Sequence, residues 1–303
     1  MTALTTDFEQ PTIDDYPTRK DSTPALLYRR DPVVWGNADD GPIDQERLDR
    51  YDDAGYLQFE SLVSASELQT YRDELWRLSR DPQLREDDRV VVEPTLNEVR
   101  SVFEVHKISD VFADLVRDPR VVDRARQILG SDVYVHQSRV NYKPGFGGGD
   151  FFWHSDFETW HAEDGMPRMR AVSISIALTD NYVHNGALMI MPGSHRTFVS
   201  CVGETPEDHF RESLRRQEIG TPDNDSLSVL AEKHGIDVLT GSAGGATMFD
   251  CNCMHGSGGN ITPFPRSNVF IVFNSVDNAC EEPFAAPGRR PTFIAARDFT
   301  PVR

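Results

Sequence analysis

Val133-Tyr134-Val135-His136-Gln137-Ser138-Arg139-Val140-Asn141-Tyr142-Lys143, closed by Pro144-Gly145, is the stretch whose reading decides the fold. Its two-residue repeat is that of a β-strand, and the proline-glycine pair ends it in a turn. Gln137, Arg139, Asn141 and Lys143 share one face, with Tyr134, Val140 and Tyr142 on the other. Such a polar row is either a solvated strand face or the inside of a barrel that binds a polar ligand. Residues 170–178 alternate too, with Val172, Ile174, Ile176 and Leu178 opposing the small Ala171, Ser173, Ser175 and Ala177, as though one face must leave room. A third, aromatic-rich strand is predicted over 268–276.

Upstream the period is that of a helix. Ser64-x-x-Glu67 is a capping-box pattern, followed by Leu68, Tyr71, Leu75 and Leu78 on one face. Asp118-Pro119 opens another helix, with Val122, Ala125 and Leu129 inward and Gly130 stopping it. Short strands with Gly/Pro turns after a helical half predict a mainly β chain with α: a double-stranded β-helix (jelly-roll, cupin-like) core with flanking helices. The expected organisation is an extended arm over 1–42, punctuated by Pro11, Pro17, Pro24, Pro32 and Pro42, then one domain over 43–303. Within that domain a helical buttress occupies 43–130 and the jelly-roll core 131–303. The charged, helix-prone stretch 204–235 is either a lid or a surface excursion.

A chain of 303 residues can bury one substantial core. Against 49 Asp and Glu stand 31 Lys and Arg, a formal charge of −18, which repels nucleic acid and anionic lipid alike. The longest apolar runs, such as 269–273, fall far short of a bilayer span. The N-terminus has neither a basic nor an apolar signal region, so the cytoplasm is the expected compartment. Cys201, Cys251, Cys253 and Cys280 are too few and too unevenly spaced for a disulfide framework and read as reduced thiols.

Chemistry concentrates at Trp153-His154-Ser155-Asp156. On a period-two segment a His-x-Asp puts an imidazole and a carboxylate on the same side. His255, in Cys253-Met254-His255-Gly256, supplies a third ligand from a distant strand. Two histidines and one carboxylate leave adjacent positions of an octahedral Fe(II) open, enough for a bidentate 2-oxo acid and then O2. Arg266 follows His255 by eleven residues, where its guanidinium fork can hold the distal carboxylate of 2-oxoglutarate. A zinc site at Cys251-x-Cys253-x-His255 lacks a second Cys/His pair at finger-like spacing. The glycines at 145–149 lack the Gly-Lys-Ser/Thr ending of a phosphate loop and read as a strand connection.

The run Phe152-Trp153-His154-Ser155-Asp156-Phe157-Glu158-Thr159-Trp160-His161, continuing Glu163-Asp164-Gly165-Met166-Pro167, closely resembles the signature of ectoine hydroxylases, a branch of the phytanoyl-CoA dioxygenase superfamily. Asn141-Tyr142-Lys143, Met191-Pro192-Gly193-Ser194-His195 and Thr262-Pro263-Phe264-Pro265-Arg266 are similar to the same family. The resemblance spans roughly 40–300 and implies a homodimeric jelly-roll enzyme that uses Fe(II), 2-oxoglutarate and O2 to convert ectoine to 5-hydroxyectoine, an osmoprotectant. It implies His154, Asp156 and His255 as iron ligands, and Lys143, Asn141 and Arg266 as contacts of 2-oxoglutarate. Gln137, Thr159, Trp160 and Arg290 would surround ectoine, with Arg289 adjoining the last. Ectoine is a cyclic zwitterion that needs an aromatic face and a cationic donor; Trp160 and Phe273 can supply the first and Arg290 the second. If the metal strand continues without a bulge, Trp160 faces the cavity; otherwise it is a core aromatic. The rival functions are a related dioxygenase acting on a lipid-CoA or another small substrate, and a cupin-like binding protein without catalysis.

Overall fold

The computed structural model describes residues 14–93, 97–214 and 219–303. The first 13 residues of the expected arm, and residues 215–218 of the predicted lid or excursion, lie outside the described residues.

The helical half forms as its pattern dictates. In Ala65–Arg80 the Ser64 hydroxyl accepts from the Glu67 amide at 3.3 Å while the Glu67 carboxylate accepts from the Ser64 amide at 2.7 Å, so each end of the capping box satisfies an otherwise unpaired N–H. Pro119–Leu129 starts with proline at its first position, where the missing N–H costs nothing, and stops at Gly130 in the left-handed region at φ +58°. Leu68, Tyr71, Leu75, Val122 and Ile128 from these helices, with Phe112 from the helix Asp110–Arg117, form one core with Val172, Ile174, Ile176, Val269 and Ile271 from the sheet beneath.

That sheet has seven antiparallel strands in the order Tyr56–Phe59, Ala246–Asp250, Ala171–Ala177, Arg266–Ser275, Val133–Lys143, Glu98–Phe103 and Val90–Glu93. A smaller antiparallel sheet, Asp237–Leu239, Leu188–Ile190, His255–Ser257 and Phe151–His154, closes the other side of the cavity. A second apolar cluster holds Phe157, Ile190, Phe198, Phe249, Phe270 and Val272, and a third, smaller one Met191, Val199, Leu230 and Met254. The two faces of residues 171–177 divide as their alternation predicts: the β-branched residues meet the helices, while Ser173 and Ser175 face the cavity side.

Two features depart from the sequence reading. The metal strand does not run on past His154: Phe151–His154 stops, Ser155 caps, and Asp156 is the first residue of the helix Asp156–Asp164, here called the ligand helix. Trp160 is therefore on a helix, not on a strand continuing in the same parity. Phe273 is fully buried with Val269 and Ile271 in the helix-facing core, because positions 269, 271 and 273 share the face opposite to Arg266, Asn268 and Phe270. It cannot supply an aromatic face to a ligand in the cavity.

From the arm, Ala25–Tyr28 pairs antiparallel with Thr197–Ser200. Among the described residues no helix is long and apolar enough to cross a membrane.

Candidate active site

Strand register assembles the site. His255 stands opposite His154 in the smaller sheet, and Arg266 opposite Lys143 in the larger one. Pairs 101 and 123 residues apart in sequence thereby become cross-strand neighbours.

His154 Nε2 lies 3.6 Å and His255 Nε2 4.0 Å from Asp156 Oδ1, and one ligand atom of each residue falls within 4.8 Å of the others. Among the described residues these three form the one His/Cys/Asp/Glu group close enough to share an ion. His154 Nδ1 donates to Phe152 O at 2.7 Å and His255 Nδ1 to Cys253 O at 3.0 Å; a carbonyl can only accept, so each proton sits on Nδ1 and each Nε2 lone pair is free for a metal. Burial, reinforced by the neighbouring His154, lowers the His255 pKa to about 4 and keeps that imidazole neutral. Burial alone would raise the pKa of Asp156, but the positive charge that His255 and His154 take up on protonation, with that of Arg139, holds it well below the ordinary carboxylate value. Its second oxygen accepts from Ser173 Oγ at 3.3 Å, a contact the small-residue face permits. Two imidazole nitrogens and an ionised oxygen, oriented from behind by backbone and hydroxyl, fit a divalent iron. Cys251 and Cys253 do not form a zinc site: both are free, buried thiols, and Cys253 Sγ turns away to donate to Gly55 O at 3.2 Å.

Two cavities meet at this cluster. The first is lined by Asn141, Lys143, Ser175, His255, Arg266 and Asn268. Lys143 Nζ donates to Ser257 Oγ at 2.9 Å and Gly258 O at 2.7 Å; burial, with the charges of Arg266 and Arg100, lowers its pKa to about 7. Arg266 Nε is buried with no hydrogen-bond partner, and burial drags its guanidinium down to about 10. Buried donors without acceptors are costly, and two cations facing one cavity repel. Both costs vanish when a dianionic acid occupies the space, so the residues present fit 2-oxoglutarate.

The second cavity, about 470 Å³, is lined by Gln137, Asp156, Thr159, Trp160 and Arg290 together with Ser213 and Leu214 from the predicted lid or excursion. Four of the five residues expected around the substrate are thus together; Phe273 is not, and Phe270 lines the neighbouring cavity instead. Trp160 belongs both to the wall and to the buried cluster, 3% exposed, with its ring 5.2 Å edge-on from His136. Between Arg289 and Arg290 the choice is clear: Arg289 is exposed and paired with Glu282, whereas Arg290 is buried in the cavity wall and paired with Asp164.

Arg139 was not among the expected site residues. It lines both cavities, its Nε is buried without a partner, Nη1 donates to Gln137 Oε1 at 2.9 Å, and its guanidinium lies 4.4 Å over the Phe270 ring. The parity of Gln137, Asn141 and Lys143 was the signal that could have named it.

Residues 51–268 match the family model described as phytanoyl-CoA dioxygenase. The chain belongs to that family. Along its full length this family member is 61% identical to the ectoine dioxygenase of Streptomyces coelicolor over 304 residues, covering 100% of each chain. Among solved structures, EctD from S. alaskensis with 2-oxoglutarate and 5-hydroxyectoine superposes with a TM-score of 0.87 at 46% identity, covering 95% of this phytanoyl-CoA dioxygenase family chain and 96% of that one. The same protein with bound Fe gives 0.86 at 46% identity over 96% and 97%. The fold is accordingly the expected double-stranded β-helix, and the chain is a non-haem dioxygenase of this family.

Proposed function

We propose that the chain hydroxylates ectoine to 5-hydroxyectoine, consuming 2-oxoglutarate and O2 and releasing succinate and CO2. The observation that carries the reading is the junction of two cavities at His154, Asp156 and His255, one facing Lys143 and Arg266 and the other Gln137, Trp160 and Arg290. Full-length similarity to ectoine dioxygenases, and to a structure holding 2-oxoglutarate and 5-hydroxyectoine, supports the substrate.

His154, Asp156 and His255 would hold Fe(II) through two Nε2 atoms and a carboxylate oxygen. When bound there, the iron supplies the activation of O2 that couples decarboxylation of 2-oxoglutarate to oxidation of a C–H bond. The protein's own work is placement. Arg266 would grip the distal carboxylate with its fork and Lys143 would neutralise the second charge, while Asn141, at the junction of both cavities, offers an amide to the same acid. On the other side Arg290 or Arg139 would face the ectoine carboxylate, with the indole edge of Trp160 and the amide of Gln137 against the ring. Ser213 and Leu214 over that cavity would exclude water during turnover.

The reading extends to a single catalytic domain over 43–303 with residues 1–42 as an arm, a homodimer, a cytoplasmic site and a part in osmoprotectant synthesis. Incubation of the purified protein with Fe(II), ascorbate, 2-oxoglutarate and ectoine tests the reaction: the expected product is ectoine heavier by one oxygen, with one succinate per product. Succinate formed equally without ectoine, or no added oxygen, overturns it. Light scattering of the same preparation tests the dimer.

A further inference from the structure

Residues 14–42 precede the segment matched by the family model, yet two of their arginines are buried as deeply as core side chains, Arg19 at 0% and Arg29 at 3% side-chain exposure. Arg19 donates from Nε and Nη2 to the two oxygens of Glu158, at 2.9 and 2.7 Å, and from Nη1 to Glu163 at 2.7 Å. Thr18 Oγ1 adds a hydrogen bond of 2.7 Å to the same Glu158. Both glutamates are on the ligand helix, which begins with Asp156, carries Thr159 and Trp160 into the second cavity and ends at Asp164, the partner of Arg290. Arg19 itself has φ +56°, a conformation that side-chain-bearing residues adopt only where the surroundings enforce it.

Arg29 does the corresponding thing at the other ligand. Its Nη1 donates to Asp250 Oδ1 at 2.8 Å, and the same oxygen accepts from the Asn252 amide at 2.8 Å, which starts the turn that delivers His255. Nη2 also donates to Met169 O at 2.8 Å, tying the turn to the approach of the 171–177 strand. Between the two arginines the strand Ala25–Tyr28 is hydrogen-bonded to Thr197–Ser200, so their separation is fixed by a ladder and not by a loose tether.

We infer that the arm is a strap with two positioning residues: Arg19 fixes the rotation of the ligand helix and hence the substrate wall, and Arg29 fixes the turn that presents His255 to the metal. A fork bound to two carboxylates five residues apart on one helix resists rotation of that helix about its axis, which a single point charge does not. Losing the fork leaves two buried carboxylates that regain solvation only if the helix shifts outward, carrying Thr159 and Trp160 with it. The kinetic half of this inference rests on the proposed ectoine reaction; the metal half does not.

The test uses the full chain with Arg19→Lys, Arg29→Lys and the milder Thr18→Val. Fe(II) affinity is measured by anaerobic equilibrium dialysis without ectoine, and then KM for ectoine and the ratio of hydroxylated product to succinate at saturating iron. For Arg29→Lys the Fe(II) Kd is expected to rise about 10-fold, the usual scale for residues that orient a metal ligand, with product ratio unchanged. For Arg19→Lys the Fe(II) Kd rises less than in Arg29→Lys, because Ser173 holds the Asp156 carboxylate independently of Glu158 and Glu163, while KM for ectoine rises about 10-fold and product per succinate falls, and Thr18→Val moves the same quantities less. Lysine variants with wild-type Fe(II) affinity, KM and coupling overturn the strap, as do equal losses of all three in both, which would mean general loosening. If Arg19→Lys does not fold, Thr18→Val decides: folded protein with unchanged KM and coupling rejects the role of Arg19. A wild-type protein that leaves ectoine unchanged overturns the proposed function, and the Arg29 comparison of Fe(II) affinity still stands or falls by itself.

Discussion

Arg290 grips Asp164 with two hydrogen bonds, Nε to Oδ1 at 2.7 Å and Nη2 to Oδ2 at 2.6 Å, joining the C-terminal segment to the last residue of the ligand helix. His136 Nε2 stands 3.3 Å from the same carboxylate. Burial alone would raise the Asp164 pKa, but Arg290 and His136 pull it down to about 2, so the anion persists at any pH of physiological interest. Asp164→Asn would leave a buried guanidinium at the edge of the substrate cavity with only the more distant Glu163 carboxylate, 3.8 Å away, to balance it. The expected result is a loss of about 3–5 kcal/mol in stability and a raised KM for ectoine, with KM for 2-oxoglutarate unchanged. Thermal unfolding together with steady-state kinetics checks both.

Replacing His154, Asp156 or His255 by alanine should abolish hydroxylation and iron retention. The strands and helix that carry them are held by other packing, so circular dichroism should remain that of the wild type. Iron content and ectoine turnover are the readouts, and full activity in His255→Ala would sink the assignment.

Arg266→Lys retains the charge and discards the fork. The expected outcome is a rise of about 10-fold or more in KM for 2-oxoglutarate with KM for ectoine within about twofold, since Arg266 lines the first cavity and not the second. An unchanged 2-oxoglutarate dependence removes Arg266 from the site.

Lys143 gives a pH signature. Burial, and then Arg266 and Arg100, depress its pKa from the ordinary 10.5 to about 7 in the ligand-free protein. Below about 7 the ammonium is present to attract a dianion; above it the amine is neutral, and binding must also take up a proton. Affinity for 2-oxoglutarate should therefore fall as pH rises from 7 to 9, and Lys143→Met should flatten that slope. For stability the sign is opposite: between about 7 and 10.5 the unfolded chain binds more protons at this residue than the folded one, so this group's contribution to stability increases with pH across that window. Calorimetric titration at several pH values separates the two.

Trp160 has two roles to lose. Because it is 3% exposed, packs in the interior cluster and also walls the substrate cavity, Trp160→Ala should cost about 3–5 kcal/mol and uncouple the reaction, with 2-oxoglutarate consumed in excess of product. Folded protein with fully coupled turnover would reject the substrate role.

Periodicity revealed the strand Val133–Lys143 with its boundaries, and parity along it put Gln137, Asn141 and Lys143 on one wall, because side-chain direction in a strand is a local property. Phe273 was assigned by its chemistry and not by parity. Its aromatic character suited ectoine, but counting parity from Arg266 would have put it on the helix-facing side, where it is buried. At Ser155-Asp156-Phe157-Glu158 the opposite happened: a serine followed three residues later by glutamate was a helix-start signal, overlooked beside the His-x-Asp pattern. The Ser155 hydroxyl does accept from the Glu158 amide at 3.3 Å, while the Glu158 carboxylate is drawn away to Arg19.

By itself the sequence determined most of the helices and strands, which residue types can ligate iron, and a net negative charge that repels other polyanions; these depend on local backbone preference, side-chain chemistry and summed charge. Tertiary structure alone decided that Arg266 stands opposite Lys143, that Arg139 belongs to both cavities, and that Arg19 and Arg29 reach the segments bearing Asp156 and His255. The paired residues among them are 123 to 221 positions apart. Register and burial bring them together, and neither is encoded in any short window of sequence.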